Sequence, residues 1–144
     1  MKNTDLDRFV KAQNADYDTA LSEIINGRKQ LHWMWYIFPQ IQGLGYSETA
    51  NYYAIRDLEE ARDFLAHPVL GARLIRITTE VLKSQKNVKQ IFGSPDDLKF
   101  HSCMTLFSAV NGSNPIFEQA LKTLFNGQRD NKTIEILMKL KGKH

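Results

Sequence analysis

The chain has 144 residues, 42% hydrophobic and 24% charged, which places it among globular sequences and allows one domain (residues 1–144) with a substantial core. It holds no apolar run of the roughly 18 residues a membrane helix needs and no signal-peptide core, and its single cysteine, Cys103, excludes an internal disulfide, so a cytoplasmic location is expected. The net charge of +3 is mild and, apart from a Lys-rich end at Lys139, Lys141 and Lys143, scattered, so nucleic acid is not an expected partner.

Taken in order, Leu6, Phe9 and Val10 have helical spacing, with Asp5 able to cap the start. A second helix is expected from near Asp16, because Tyr17, Ala20, Leu21, Ile24 and Ile25 form one apolar stripe that Asn26-Gly27 ends. The stretch His32-Trp33-Met34-Trp35-Tyr36-Ile37-Phe38-Pro39-Gln40 follows. It holds both tryptophans, and its continuous apolarity fits buried helix or buried strand equally. Pro39 stops either one, and Gly43 and Gly45 allow tight turns or the close approach of a ligand to backbone.

Ser47 can cap a short helix, and Asp57-x-x-Glu60 has the form of a capping box. His67-Pro68 is expected to break the helix it opens, with Pro68 in the first turn of a long helix carrying Leu70, Leu74, Ile77, Val81 and Leu82. Ile91-Phe92-Gly93 reads as an apolar connector, and Ser94-Pro95-Asp96-Asp97 as a helix start with Ser94 as cap and Pro95 as first residue. Asn114-Pro115 starts a further helix that Gly127 ends, and Asp130 or Asn131 starts the last. No alternating strand pattern appears, so the fold class expected is all-α, with about six to eight helices.

The tryptophan stretch is either a core segment or a stacking wall for a planar ligand. Trp33 and Trp35, two residues apart, cannot share one helix face, so one can be core while the other lines a cleft. Asp96 and Asp97 are explained by helix capping, with a carboxylate for acid–base chemistry as the functional alternative. Cys103 falls on an apolar helix face and reads as a buried structural thiol. No H-E-x-x-H or C-x-x-C spacing is present, so neither metal nor cofactor is expected.

The segments HWMWYIFPQIQGLG, Ser47 to Ile55, EARDFLAHPVLGARL and IFGSPDDLKFHSCMTLF resemble the bacterial domain-of-unknown-function family 1810, over about Phe9 to Leu137. That resemblance implies a small all-α cytosolic protein with no assigned reaction. The calpastatin label sometimes given to the family finds no T-I-P-P-x-Y-R-like inhibitory segment here. Ser47 to Arg73 is more loosely similar to the NADAR family, which acts on N-glycosidic bonds of ribosylated compounds. It departs from that pattern in having Thr49 where a glutamate is expected, Glu48 being one residue early, and in lacking D-x-x-W-G.

Two functions of different kinds follow. One is a small-molecule site for a nucleotide or ribosylated compound, with N-glycosidic hydrolysis as its reaction class. Its ligand contacts are Trp33, Trp35, Gln40, Gly43, Gly45, Tyr53, Lys99 and Thr105, with Asp97 and His32 as catalytic candidates. It requires the Trp33–Gln40 stretch and the Asp97–Thr105 helix to share one pocket. The other is a non-catalytic interaction module that uses the aromatic stretch as a partner anchor.

Overall fold

The computed structural model describes residues 5–142, so Lys143, the last of the Lys-rich end, lies outside the described residues. Among them the fold is all-α. Nine helices follow one another: α1 (Asp7–Ile25), α2 (Met34–Ile37), α3 (Glu48–Tyr52), α4 (Leu58–Ala66), α5 (Leu70–Lys83), α6 (Val88–Phe92), α7 (Asp96–Ser108), α8 (Ile116–Phe125) and α9 (Asn131–Lys141). The extended backbone pairs at one point, an isolated parallel bridge between Ile41 and Ile55.

The helix starts expected at Leu6 and at Asp16 are one helix. Nothing between Val10 and Asp16 breaks it, and Phe9, Gln13, Tyr17, Ala20 and Ile24 make a single buried stripe along 19 residues. Gln13 is the polar member of that stripe. Its amide is satisfied by donating to the Tyr36 carbonyl at 2.8 Å, so its burial carries no unpaired donor. Asp5 does not cap α1: the cap position is Leu6, without a side-chain bond.

Other ends follow local chemistry. Ser47 caps α3 by accepting the Ala50 N–H at 3.0 Å, and Asp57 caps α4 through the Glu60 N–H at 2.8 Å. The Asp57-x-x-Glu60 box is half formed, because the Glu60 carboxylate turns to the Arg56 N–H instead, at 2.9 Å. The chain breaks at His67-Pro68 as expected, but Pro68 precedes the first turn of α5, and His67 Nδ1 accepts the N–H groups of Val69 and Leu70 at 3.1 and 3.3 Å. A side-chain acceptor placed there does the capping that an N1 proline makes unnecessary. The expected connector at 91–93 is the end of α6, opened by a full capping box between Asn87 and Gln90. Ser94 does not cap α7; Pro95 holds the cap position and no side chain bonds there.

The core is arranged around α7. Phe100 and every residue from Ser102 to Phe107 are buried, so this helix is enclosed nearly all round. It packs against α4, α6, α8 and α9, while α1 packs on α5 and carries α2. The aromatic stretch therefore sits at one edge of the bundle, between α1 and the start of α7.

Candidate functional site

The two tryptophans divide as their spacing requires. Trp33 precedes α2 and is 1% exposed. Its indole N–H donates to Glu23 Oε1 at 2.9 Å, the same oxygen that accepts the backbone N–H groups of Gln30 at 2.8 Å and Leu31 at 3.1 Å. Glu23 thus ties the 30–33 segment to α1. Burial pushes its carboxyl up, but these three hydrogen bonds and nearby Lys29 outweigh burial and hold it below its ordinary value. Trp33 is a core residue, placed off the cleft described below.

Trp35, half-buried, faces the other way, toward a small cleft. Past Pro39 the chain runs extended, and the Ile41–Ile55 bridge closes it into a loop. The Gln42 N–H donates to the Ile55 carbonyl and the Ile55 N–H to the Gln40 carbonyl, both at 2.8 Å. Such a compact loop with joined ends is a common carrier of sites. The cleft is lined by Trp35, Gln40 and Ile41, by Gly43, Gly45, Ala50 and Asn51 of the loop, and by Tyr53 and Ala54 that follow it. The enclosed volume is about 20 Å³, room for one water-sized group.

The glycines are structural requirements of this loop. Gly43 has φ +107°, and a Cβ at Gly45 would stand 2.6 Å from the Ala50 Cβ. Tyr53 is clasped by Phe9 and Tyr36, ring centroids 6.0 and 5.0 Å away. The Tyr36 hydroxyl donates to the Asp16 carboxylate. Burial first, then this bond and the charge of Asp16, hold the Tyr36 phenol well above its ordinary range.

Beyond Trp35 lies a charged cluster. The Lys99 ammonium stands 4.9 Å from the Trp35 ring centroid and the Lys29 ammonium 5.1 Å from that of Trp33. Asp96 joins them, at 2.9 Å from Lys29 and 3.2 Å from Lys99. Burial raises the Asp96 carboxyl, but the hydrogen bonds and charges of the two lysines prevail and hold it low. Lys29 also stands near the Glu23 carboxylate, so the two ammonium groups face two carboxylates, and Lys99 is the one that reaches the Trp35 ring.

Of the residues expected at the site, the structure brings Trp35, Gln40, Gly43, Gly45 and Tyr53 together on one cleft, with Lys99 on the Trp35 ring. It does not bring the others there. Asp97 is off the cleft walls, and its carboxylate accepts the neighbouring Leu98 N–H at 2.9 Å. His32 is exposed and also off the walls. Thr105 is fully buried: its hydroxyl donates to the His101 carbonyl and accepts the Asp130 N–H, both at 2.9 Å, which pins the start of α9. The tryptophan stretch and α7 meet in the core through Phe38 and Phe100, ring centroids 5.0 Å apart, and at the edge through Trp35 and Lys99, not as shared walls of the cleft. Asp96, a candidate carboxylate beside Asp97, is held by Lys29 and Lys99, while Lys29, Ala50 and Asn51 carry no signal in the sequence pattern. Among the described residues no group of three or more His, Cys, Asp or Glu is placed to hold a metal ion.

A family model described as Protein of unknown function (DUF1810) matches residues 3–137. The crystal structure of the conserved hypothetical protein Rv1873 from Mycobacterium tuberculosis is similar at 44% identity and a TM-score of 0.91, over 93% of this chain and 96% of that one. Comparison with curated proteins gives no match.

Proposed function

The chain belongs to the DUF1810 family, and we propose that it is a ligand-binding domain whose site is the Trp35–Tyr53 cleft, taking a planar anionic compound of the nucleotide or ribosylated class. The observation that carries this reading is the convergence of Trp35, Gln40, Gly43, Gly45 and Tyr53 on one cleft, with the Lys99 ammonium 4.9 Å from the Trp35 ring. An aromatic wall suits a flat ring. The amides of Gln40 and Asn51 each offer donor and acceptor to its edge. Lys99, against the Trp35 ring, supplies an ammonium for a phosphate.

The geometry favours binding over N-glycosidic hydrolysis. That reaction needs a carboxylate or comparable base within reach of the reacting carbon. The walls hold no carboxylate, and Tyr53, which burial holds above its ordinary range, stays a neutral phenol at physiological pH. The partial likeness of Ser47 to Arg73 to the NADAR family makes ADP-ribose the first probe.

Titration with ADP-ribose and ADP, followed by tryptophan fluorescence, tests the reading. Quenching should disappear in Trp35→Phe, while Trp33 continues to report the folded core. Lys99→Gln should weaken affinity about 3- to 10-fold at low salt, the scale of a half-exposed ion pair. Saturating millimolar nucleotide without any spectral or calorimetric response would remove the proposal.

The interaction-module reading has one observation in its favour: Tyr46 is 91% and Tyr52 57% exposed on the loop that carries α3. It predicts that Tyr46→Ala/Tyr52→Ala abolishes capture of a partner protein while leaving nucleotide quenching intact.

A further inference from the structure

We propose that residues 43–52 are a lid over the cleft, latched by Arg8. The cleft as it stands encloses about 20 Å³, against the roughly 300 Å³ or more of a pocket that holds a small-molecule ligand. Its walls divide between two bodies. Trp35, Gln40, Ile41, Tyr53 and Ala54 belong to the framework; Gly43, Gly45, Ala50 and Asn51 belong to the segment 43–52, which lines the same cleft.

That segment is weakly held. No residue from 42 to 53 is buried, although Ile41, Ala54 and Ile55 on either side are. α3 contributes no buried side chain, Leu44 packs on the core, and Gly43 lies close to Ile136 of α9. Among the described residues, and apart from bonds to its own flanks, a single hydrogen bond leaves it: Arg8 Nε donates to the Tyr52 carbonyl at 2.7 Å.

Arg8 is fixed independently of that bond. Its guanidinium lies 4.4 Å from the Phe9 ring centroid and donates to the Ala54 carbonyl at 2.8 Å and to Glu60 Oε1 at 3.4 Å. Beyond the Tyr53 and Ala54 N–H bonds to the Thr49 and Asn51 carbonyls at its hinge, lifting the segment breaks one bond, to a group that remains anchored, and the Ile41–Ile55 bridge need not open. Gly43, at φ +107°, ends the segment on one side, and the clasped Tyr53 ends it on the other. Segments with few buried contacts open at the low end of the stability range. That the lid admits a ligand rests on the cleft reading; that it opens does not.

Hydrogen exchange by mass spectrometry on the free full-length chain is the test. Amides of 43–52 should exchange at least about a hundredfold faster than the helical amides of α5 and α7, the spread between local and global opening. Arg8→Lys cannot span both carbonyls and should speed the lid about threefold to tenfold further, leaving α5 and α7 unchanged. Acrylamide quenching of Trp35 should rise in parallel, which fraying of α3 alone would not produce. Leu44→Ala, a half-buried position, gives a second route to the same effect should Arg8→Lys fold poorly. Lid amides as protected as those of α5, or indifferent to both variants, would overturn the proposal. Fast lid exchange that ADP-ribose fails to slow would uphold the lid and sink the ligand assignment.

Discussion

Glu23 is the residue whose loss should be felt most clearly outside the cleft. Glu23→Ala removes the acceptor of three N–H groups. Gln30 and Leu31 are exposed, and their amides regain water. The Trp33 indole N–H, on a side chain 1% exposed, does not. A buried donor left unpaired costs about 1–3 kcal/mol, and the lost charge-assisted bonds bring the total to about 2–3 kcal/mol. For a chain of this size that lowers Tm by about 6–10 °C. Glu23→Gln keeps an acceptor and loses the charge, so it should cost about 1 kcal/mol.

The pH dependence separates the two contributions. The folded carboxyl lies below its ordinary value of 4.5, so the unfolded state binds the proton first as pH falls. The stabilisation is full above pH 4.5 and is lost as pH drops through the folded value. The Tm gap between wild type and Glu23→Gln should be widest above pH 4.5 and narrow as pH falls below it. Calorimetric melts over that range, with Trp33 near-ultraviolet dichroism as a local probe, decide it. A gap that does not change with pH, or a Glu23→Ala protein as stable as wild type, refutes the argument.

Other outcomes follow from the same structure. Gly43→Ala, at φ +107°, should destabilise by about 1–2 kcal/mol in a thermal melt. Gly45→Ala should be rescued by Ala50→Gly, because the clash is between two Cβ positions 2.6 Å apart; absence of rescue in the double variant would mean that this contact does not set the loop. Above pH 10, unfolded tyrosine ionises before Tyr36 does, since the folded phenol is held above its ordinary value of 10.0. The unfolded state then binds fewer protons and stability falls as pH rises, a slope that Tyr36→Phe should flatten in alkaline melts.

Much of the fold is written locally in the chain. Ser47, Asp57 and the Asn87–Gln90 pair each announce a helix start through a side chain that reaches its own backbone. The break at His67-Pro68 needs nothing beyond proline sterics. The cleft is partly local too, since five of its lining residues come from Trp35 to Gly45. What local pattern does not carry is orientation. In a helix of four residues, periodicity cannot say whether Trp33 or Trp35 turns inward; Glu23, on another helix, decides it. Asp96 and Asp97 are indistinguishable as helix-start acids, and Lys29, far away in sequence, selects Asp96. Thr105 is drawn into the core for the same reason: the Asp130 N–H that its hydroxyl accepts lies 25 residues ahead.

Cys103 is the chain's one thiol, fully enclosed in α7, and burial pushes it well above its ordinary range. Because α7 is hemmed in by four other helices, no detachment of a single segment reaches its sulfur. The rate at which an aromatic disulfide or a maleimide labels the native protein is therefore a clock set by whole-domain excursions alone. Read beside the exchange of the 43–52 amides, it gives two timekeepers in one untagged molecule, one for the rim and one for the heart of the fold. Any treatment that advances the first without the second has loosened the cleft and left the domain intact.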